Sequence, residues 1–130
     1  MSIISFTQKD LLRGKVVTPG WYRLKIDSQG EKLAKDSQST NYLMEATIIN
    51  NDDDGSTDFA GVPLEWNFNS KAMGFIIGYL KAMGHDVELD KRYDLGKTVG
   101  GEVVAYVANK LFENRVLNNV TSQYRAVRSA

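Results

Sequence analysis

The sequence predicts a mainly β fold, namely a five-stranded Greek-key barrel with one helix between strands 3 and 4 and a short N-terminal helix. Three observations support this prediction. Several runs alternate apolar and polar residues with the period of two that is typical of half-buried strands. One longer segment has the spacing of an amphipathic helix, and it separates three strand-like runs from two others. With 130 residues and no cysteine, we expect a single domain over residues 1–130 that needs no disulfides.

The N-terminal residues predict a short helix ahead of the first strand. Residues 2–6 are apolar, and we expect them to cover an end of the barrel or to pair with a strand. Thr7 is the candidate cap of a helix over residues 8–13, with Asp10 in its first turn and Gly14 at its end.

The first strand, residues 18–27, is the clearest of the alternating runs. One face holds three apolar side chains that we expect in the core: Tyr22, Leu24 and Ile26. The other face holds an indole, two cations and an acid: Trp21, Arg23, Lys25 and Asp27. An indole beside two cations suits an anionic ligand with flat faces, such as nucleic acid. The alternative is that Trp21 only covers a barrel end.

The next segments predict a second strand between two polar loops. Residues 28–41 indicate a long mobile turn, in which Lys32 and Lys35 could close over a ligand or simply be solvated. Residues 42–49 alternate, but both faces are partly apolar, so the core side stays open. Residues 50–58 are strongly acidic with calcium-loop spacing, but Gly61 stands where a bidentate glutamate is needed. We therefore predict an exposed hairpin tip, turned away from any polyanion, and no metal site.

A third strand and the main helix follow. Residues 61–68 alternate, Pro63 predicts an edge position or a bulge, and Trp66 is predicted to be a core residue. Ser70 is the expected cap of a helix over residues 71–83, which ends at Gly84. Its predicted core stripe consists of Met73, Ile76, Ile77, Leu80 and Met83.

The last third of the chain predicts a connector and a hairpin. Residues 85–98 are polar, and His85 has no partner at motif spacing. Residues 102–108 and 116–127 alternate as strands 4 and 5, with a turn near Glu113 and Asn114. This hairpin should expose two cations beside an aromatic residue: Lys110, Phe112 and Arg115.

Charge is balanced overall, with 16 basic and 16 acidic residues, but its distribution is uneven. Basic residues predominate near both ends of the chain, and acids predominate between residues 45 and 97. If the ends meet in space, they should form a positive surface on a neutral protein.

Other function classes lack their sequence signals. There are no paired carboxylates, nucleophile with its base, phosphate-cradling glycine loop or metal set at a usable spacing, so we predict neither an enzyme nor a cofactor. The absence of cysteine excludes thiolate zinc sites. No leader pattern or membrane-spanning apolar run is visible, and we expect a cytoplasmic protein.

The order of elements, three strands, a helix and a hairpin, is that of the OB-fold. Four segments and one tyrosine carry a family resemblance: PGWYRLKI (19–26), YLMEA (42–46), YLKAMG (79–84), NNV (118–120) and Tyr124. In order and spacing the chain resembles phage single-stranded-DNA-binding proteins of the OB-fold type. It departs from many of them in lacking an acidic C-terminal tail, which puts partner recruitment through such a tail in doubt.

The resemblance implies a viral protein that coats single-stranded DNA during phage replication or recombination, in the host cytoplasm and without strong sequence preference. Its partners would be single-stranded DNA and replication or recombination proteins, and exposed strand edges are compatible with a homodimer. The binding residues it implies are Trp21, Arg23, Lys25, Lys32, Lys35, Tyr42, Lys110, Phe112 and Arg115. The alternative is a small non-enzymatic barrel that serves as a structural or protein-interaction module of a virus.

Overall fold

The computed structural model describes residues 2–89 and 91–127, with Lys9 described by its backbone alone. Five strands form one antiparallel sheet: β1 (Gly20–Leu33), β2 (Thr40–Asn51), β3 (Pro63–Asn69), β4 (Glu102–Phe112) and β5 (Arg115–Arg125). Its helices are α1 (Gln8–Leu12), α2 (Met73–Ala82) and the short 3-10 helix η1 (Leu95–Thr98). The mainly β prediction is confirmed. The basic residue Arg128, which the sequence places after the last strand, lies outside the described residues.

The sheet is open, so the prediction of a closed barrel is wrong. Its strand order is β3-β2-β1-β4-β5, and no backbone ladder joins β3 to β5 among the described residues. Aromatic side chains lie between these two edges instead, with the rings of Phe68 and Tyr124 6.1 Å apart. The two edge strands therefore meet through side chains of the core rather than through a backbone ladder. The edge position predicted from Pro63 is confirmed, because β3 is an edge strand.

The hairpin of β1 and β2 is longer than the sequence indicates. β1 continues to Leu33, which pairs with Thr40, so the predicted mobile turn over residues 28–41 is wrong. Only residues 34–39 connect the strands, and Asp36 stabilises them by accepting hydrogen bonds from the backbone N–H groups of Gln38 and Ser39. The extension lies beyond the apolar core, and its residues are mostly polar on both faces. The residues of this extension do not alternate between apolar and polar, so the sequence did not predict a strand there.

The core lies against one face of the sheet. The predicted inward face of β1 is confirmed, since Tyr22, Leu24 and Ile26 are buried. On β2 the structure selects the face of Met44, Ala46 and Ile48, which the sequence left open. Trp66 is half-buried and packs against this core, as the sequence predicts. The other sheet residues in this core cluster are Leu64, Phe68, Val103, Ala105, Val107 and Val120.

Helix α2 packs on the core with only part of the predicted stripe, because Ile76, Leu80 and Met83 contact the core and Tyr79 joins them. It begins at Met73 and has no side-chain cap, because the Ser70 hydroxyl instead accepts a hydrogen bond from the backbone N–H of Thr40. Its buried residues are Ile76, Tyr79 and Leu80, whereas Met73 and Ile77 are exposed and Met83 is half-buried. Tyr79 can lie inside because its hydroxyl donates to Thr98 Oγ1 at 2.8 Å. The helix ends at Gly84 as predicted, with φ at 91°.

The N-terminal segment contributes less packing than the sequence predicts. Helix α1 begins with a reciprocal cap, in which the Asp10 N–H donates to Thr7 Oγ1 and the Thr7 N–H donates to the Asp10 carboxylate. Ahead of it, the expected strand or barrel cover over residues 2–6 is absent, and Ile3, Ile4 and Phe6 are exposed. Among the described residues, no helix is both long and apolar enough to cross a membrane.

Candidate nucleic-acid interface

The hairpin of β4 and β5 extends beyond the rest of the sheet. β1 pairs with β4 only as far as Val107, whereas β4 and β5 stay paired up to Phe112 and Arg115. The turn residues Glu113 and Asn114 have φ angles of 48° and 63°, which is the geometry of a two-residue type I′ turn. The predicted hairpin is therefore confirmed. We call residues 108–119 the ribbon.

Three of the predicted binding residues share one face of the ribbon. Phe112 and Arg115 are directly opposite one another, and Lys110 precedes Phe112 by two positions on the same strand. Since side chains two apart on a strand lie on the same face, Lys110, Phe112 and Arg115 lie together. All three are exposed, Phe112 by 53%. Neither Lys110 nor Arg115 takes part in an ion pair with the described residues.

The two ends of the chain meet at the base of the ribbon. The Asn118 side chain accepts a hydrogen bond from the Val17 N–H at 2.9 Å and donates one to the Lys15 carbonyl at 2.8 Å. This contact holds the N-terminal segment beside β5, so the expectation that both basic ends approach each other is met. Sequence reasoning did not identify Asn118 as the anchor, because its partners are about a hundred residues away.

A groove runs from this junction onto the exposed face of β2 and β3. One part has a volume of about 460 Å³ and is lined by the cations Arg13, Lys110 and Arg115. A neighbouring part of about 540 Å³ shares Lys110 and adds Trp66. The two parts are also lined by amide and carboxylate side chains, which we call the floor of the groove: Asp27, Glu45, Glu65, Asn67, Asn118 and Asn119. We call the two parts together the ribbon groove.

The charges of the ribbon groove are mixed, so the expected positive surface is present only along its rim. Glu45 and Glu65 are directly opposite one another on β2 and β3, and both are exposed. Two like charges at this spacing repel each other and would repel a phosphate. An anionic ligand would therefore place its charges near Arg13, Lys110 and Arg115, and its neutral parts over the floor.

The predicted residues of β1 are engaged in contacts within the protein. Trp21, Arg23 and Lys25 alternate with the core residues as predicted. The Arg125 guanidinium lies 3.6 Å from the centre of the Trp21 ring, and the Tyr106 ring packs edge-on at 5.4 Å. The Arg23 side chain donates to the Glu102 carboxylate. One face of Trp21 and the charge of Arg23 thus already have partners, whereas Lys25 is exposed.

The remaining predicted residues lie far from the ribbon. Lys32 is on β1 rather than in a loop, Lys35 is in the short connection after it, and both are exposed. Tyr42 pairs with the buried Phe68 and packs half-buried against the core, on the opposite face from Trp21. At about 3.3 Å per residue, Lys32 lies roughly 35 Å along β1 from Trp21. The structure does not bring these three residues together with the ribbon.

The acidic turn after β2 is exposed at Asp53 and Asp54, as predicted, and it also contacts a basic residue of β5. The Asp52 N–H donates to the Trp21 carbonyl at 2.8 Å, and the carboxylates of Asp52 and Asp53 each lie 3.7 Å from Arg125. The turn folds back because the last residues of β2 pair with the start of β1. No local spacing in the sequence indicates this contact, which depends on the register of β5.

Two further features concern ionisation and metal binding. The ring of Tyr124 on β5 packs against Phe68 of β3, and burial raises the pKa of the Tyr124 hydroxyl. Its hydroxyl and the Trp66 indole nitrogen are buried, with no hydrogen-bond partner among the described residues. The described part of the chain contains no group of three or more His, Cys, Asp or Glu side chains that could hold a metal ion.

No family model matches the sequence, and no curated protein is significantly similar to it.

Proposed function

We propose that the protein is an OB-fold protein that binds single-stranded DNA without strong sequence preference, with the ribbon groove as its main contact. The fold assignment is supported by the strand order, in which β1 lies between β2 and β4 and the edges are β3 and β5. The OB-fold is itself a partly open five-stranded barrel. Here the aromatic contact between Phe68 and Tyr124 bridges the two edges where a closed barrel would have a ladder.

The observation that carries the functional proposal is the exposed face of the ribbon. Lys110, Phe112 and Arg115 place two unpaired cations beside an aromatic ring, and Arg13 lines the same groove. Binding of single strands without sequence preference combines these two elements, since cations follow the phosphates and rings stack on bases. The sequence-derived prediction named the three ribbon residues together for the same reason.

The floor of the groove suits bases better than phosphates. Glu45 and Glu65 repel phosphate, while they and Asn67 provide acceptors and donors for the polar edges of bases. A single strand can turn its bases inward and its phosphates outward, whereas a duplex cannot expose its bases in this way. The groove therefore favours a single strand over a duplex.

The biological role follows from this chemistry and from the family resemblance. The protein would coat transient single strands during phage replication or recombination in the cytoplasm of the host cell, without a cofactor and without a catalytic step. Replication or recombination proteins would be its partners. The free edges of β3 and β5 allow a homodimer.

Fluorescence anisotropy of a labelled oligo(dT), with a duplex of equal length as control, tests the proposal. We expect salt-sensitive binding that favours the single strand and weakens in the Phe112→Ala variant. Stacking of one base on an aromatic residue contributes about 1–3 kcal/mol, so Phe112→Ala should weaken binding by about 5- to 150-fold. The matched control is Phe75→Ala, which removes an exposed aromatic from α2. Absence of oligo(dT) binding at low salt would contradict the proposal.

A protein-interaction module of a virus is the second candidate, and one observation favours it. On the opposite face of the ribbon, Leu111 and Val116 are paired directly across the strands and are 73% and 48% exposed. An exposed apolar pair of this kind is typical of a protein contact. If oligo(dT) does not bind, the ribbon should instead be tested as a protein-docking element.

A further inference from the structure

The guanidinium of Arg125 lies between an indole and two carboxylates. Its central carbon is 3.6 Å from the centre of the Trp21 ring. Its Nη1 atom is 3.7 Å from Asp52 Oδ2 and 3.7 Å from Asp53 Oδ1. An arginine stacked on tryptophan keeps its N–H donors in the plane of the guanidinium, where they remain able to bind an anion.

The two carboxylates lie where an anion could bind Arg125, but they are too far away to form good hydrogen bonds with it. A distance of 3.7 Å is longer than an N–H···O hydrogen bond, which is at most about 3.2 Å. Asp52 is only 11% exposed, and its Oδ2 atom is buried without a hydrogen-bond partner among the described residues. A buried carboxylate oxygen without a hydrogen bond destabilises the contact between Asp52 and Arg125. A phosphate can form two parallel hydrogen bonds with a guanidinium and would fit better.

The acidic turn holds its carboxylates in place through its own backbone. The Asn51 side chain accepts hydrogen bonds from the N–H groups of Asp53 and Asp54, and the Gly55 N–H donates to the Asn51 carbonyl. The Asp52 N–H also donates a hydrogen bond to the Trp21 carbonyl. The turn thus places two carboxylates beside the guanidinium that is stacked on Trp21.

We propose that Arg125 and Trp21 form a second contact for single-stranded DNA, and that Asp52 and Asp53 occupy its phosphate position when no DNA is bound. The phosphate would displace the two carboxylates from Arg125, and a base would pack against the exposed part of the Trp21 and Tyr106 pair. This inference rests on the proposed function. It adds Arg125 to the interface and identifies an intramolecular competitor for the DNA.

The test compares two double variants that remove the same charge from the same loop. Asp52→Asn/Asp53→Asn removes the two carboxylates that face Arg125. The matched control, Asp54→Asn/Asp58→Asn, removes two carboxylates that form no ion pair with the described residues. We expect the first variant to bind oligo(dT) severalfold more tightly than the control. The slope of log affinity against log salt should also steepen by about 0.7 for one additional phosphate contact.

A third variant identifies the cation responsible. Arg125→Gln should weaken DNA binding by the wild-type protein, but by less than it weakens binding by Asp52→Asn/Asp53→Asn, because in the wild-type protein the phosphate must first displace the carboxylates from Arg125. It should also abolish the gain in the Asp52→Asn/Asp53→Asn background. Thermal unfolding of each variant checks that it is folded.

The outcomes separate this inference from the proposed function. If Asp52→Asn/Asp53→Asn binds no better than Asp54→Asn/Asp58→Asn while the wild-type protein still binds oligo(dT), the second contact is refuted and the ribbon groove stands. If none of the folded proteins binds oligo(dT) at low salt, both proposals fail. A gain that persists in the Arg125→Gln background would also refute the assignment of Arg125.

Discussion

Removal of the two unpaired cations of the ribbon should reduce the salt dependence of DNA binding by a calculable amount. Lys110 and Arg115 are exposed, line the same groove and have no ion-pair partner among the described residues. Each can therefore neutralise one phosphate. For single strands each such contact contributes about 0.7 to the slope of log affinity against log salt, so Lys110→Ala/Arg115→Ala should lower the slope by about 1.4.

The assay is an anisotropy titration of labelled oligo(dT) over a tenfold range of NaCl concentration. Over that range the wild-type affinity should fall by about 25-fold more than the affinity of the variant, which is the slope difference of about 1.4 expressed as a ratio. The matched control is Lys32→Ala/Lys35→Ala, which removes the same charge from the distant end of β1. This control should retain most of the wild-type slope.

Two results would refute this reasoning. An unchanged slope in Lys110→Ala/Arg115→Ala would mean that the ribbon does not contact phosphates. An equal loss of slope in Lys32→Ala/Lys35→Ala would mean that binding depends on net charge rather than on the ribbon groove.

Three further predictions concern stability. Thr98→Val leaves the buried Tyr79 hydroxyl without its acceptor and should lower the free energy of unfolding in urea by about 1–3 kcal/mol, more than Tyr79→Phe does; an equal effect would contradict the hydrogen-bond argument. Gly84→Ala places a side chain at a φ of 91° and should cost about 1 kcal/mol in the same assay, whereas no loss would show that the helix end relaxes. The ion pair with Lys71 and the backbone N–H groups hold the pKa of Asp36 far below its usual value of 3.8. Because the pKa of Asp36 is lower in the folded than in the unfolded protein, Asp36 stabilises the fold fully above its unfolded-state pKa, and this stabilisation is lost as pH falls below it. The Asp36→Asn variant should therefore lack this loss of stability in acid, measured by thermal unfolding. If the stability of the variant and of the wild-type protein depends on pH in the same way, the contribution of Asp36 is refuted.

The parts of the fold that follow from local pattern were predictable. The inward face of β1 alternates strictly between apolar and polar residues, and Tyr22, Leu24 and Ile26 are buried as expected. The turn at Glu113 and Asn114 was also predictable, because two alternating runs flank it. In both cases the information lies within ten residues of sequence.

The parts that depend on distant contacts were not predictable. Ser70 is a good helix cap by type, but its hydroxyl accepts a hydrogen bond from the Thr40 N–H, and α2 begins only at Met73. The edges of the open sheet meet through the rings of Phe68 and Tyr124, which are 56 positions apart in sequence. Neither contact has a signal in the spacing of neighbouring residues.

The candidate site shows the same division. The face shared by Lys110, Phe112 and Arg115 follows from alternation within one hairpin, whereas the contact between Arg125 and Asp52 depends on the register of β5 and on how the turn after β2 folds. A neutral total charge therefore says little about DNA binding by this protein. What matters is which cations are paired: those of the ribbon are free of ion pairs with the described residues, and Arg125 lies 3.7 Å from two carboxylates that, in our proposal, a phosphate would replace. If both proposals hold, increasing salt weakens two contacts at once: the contact of the ribbon with DNA, and the contact between Arg125 and its own acidic turn, which competes with DNA. The second effect partly offsets the first. The number of bound phosphates calculated from the salt dependence of the wild-type protein should therefore be too low.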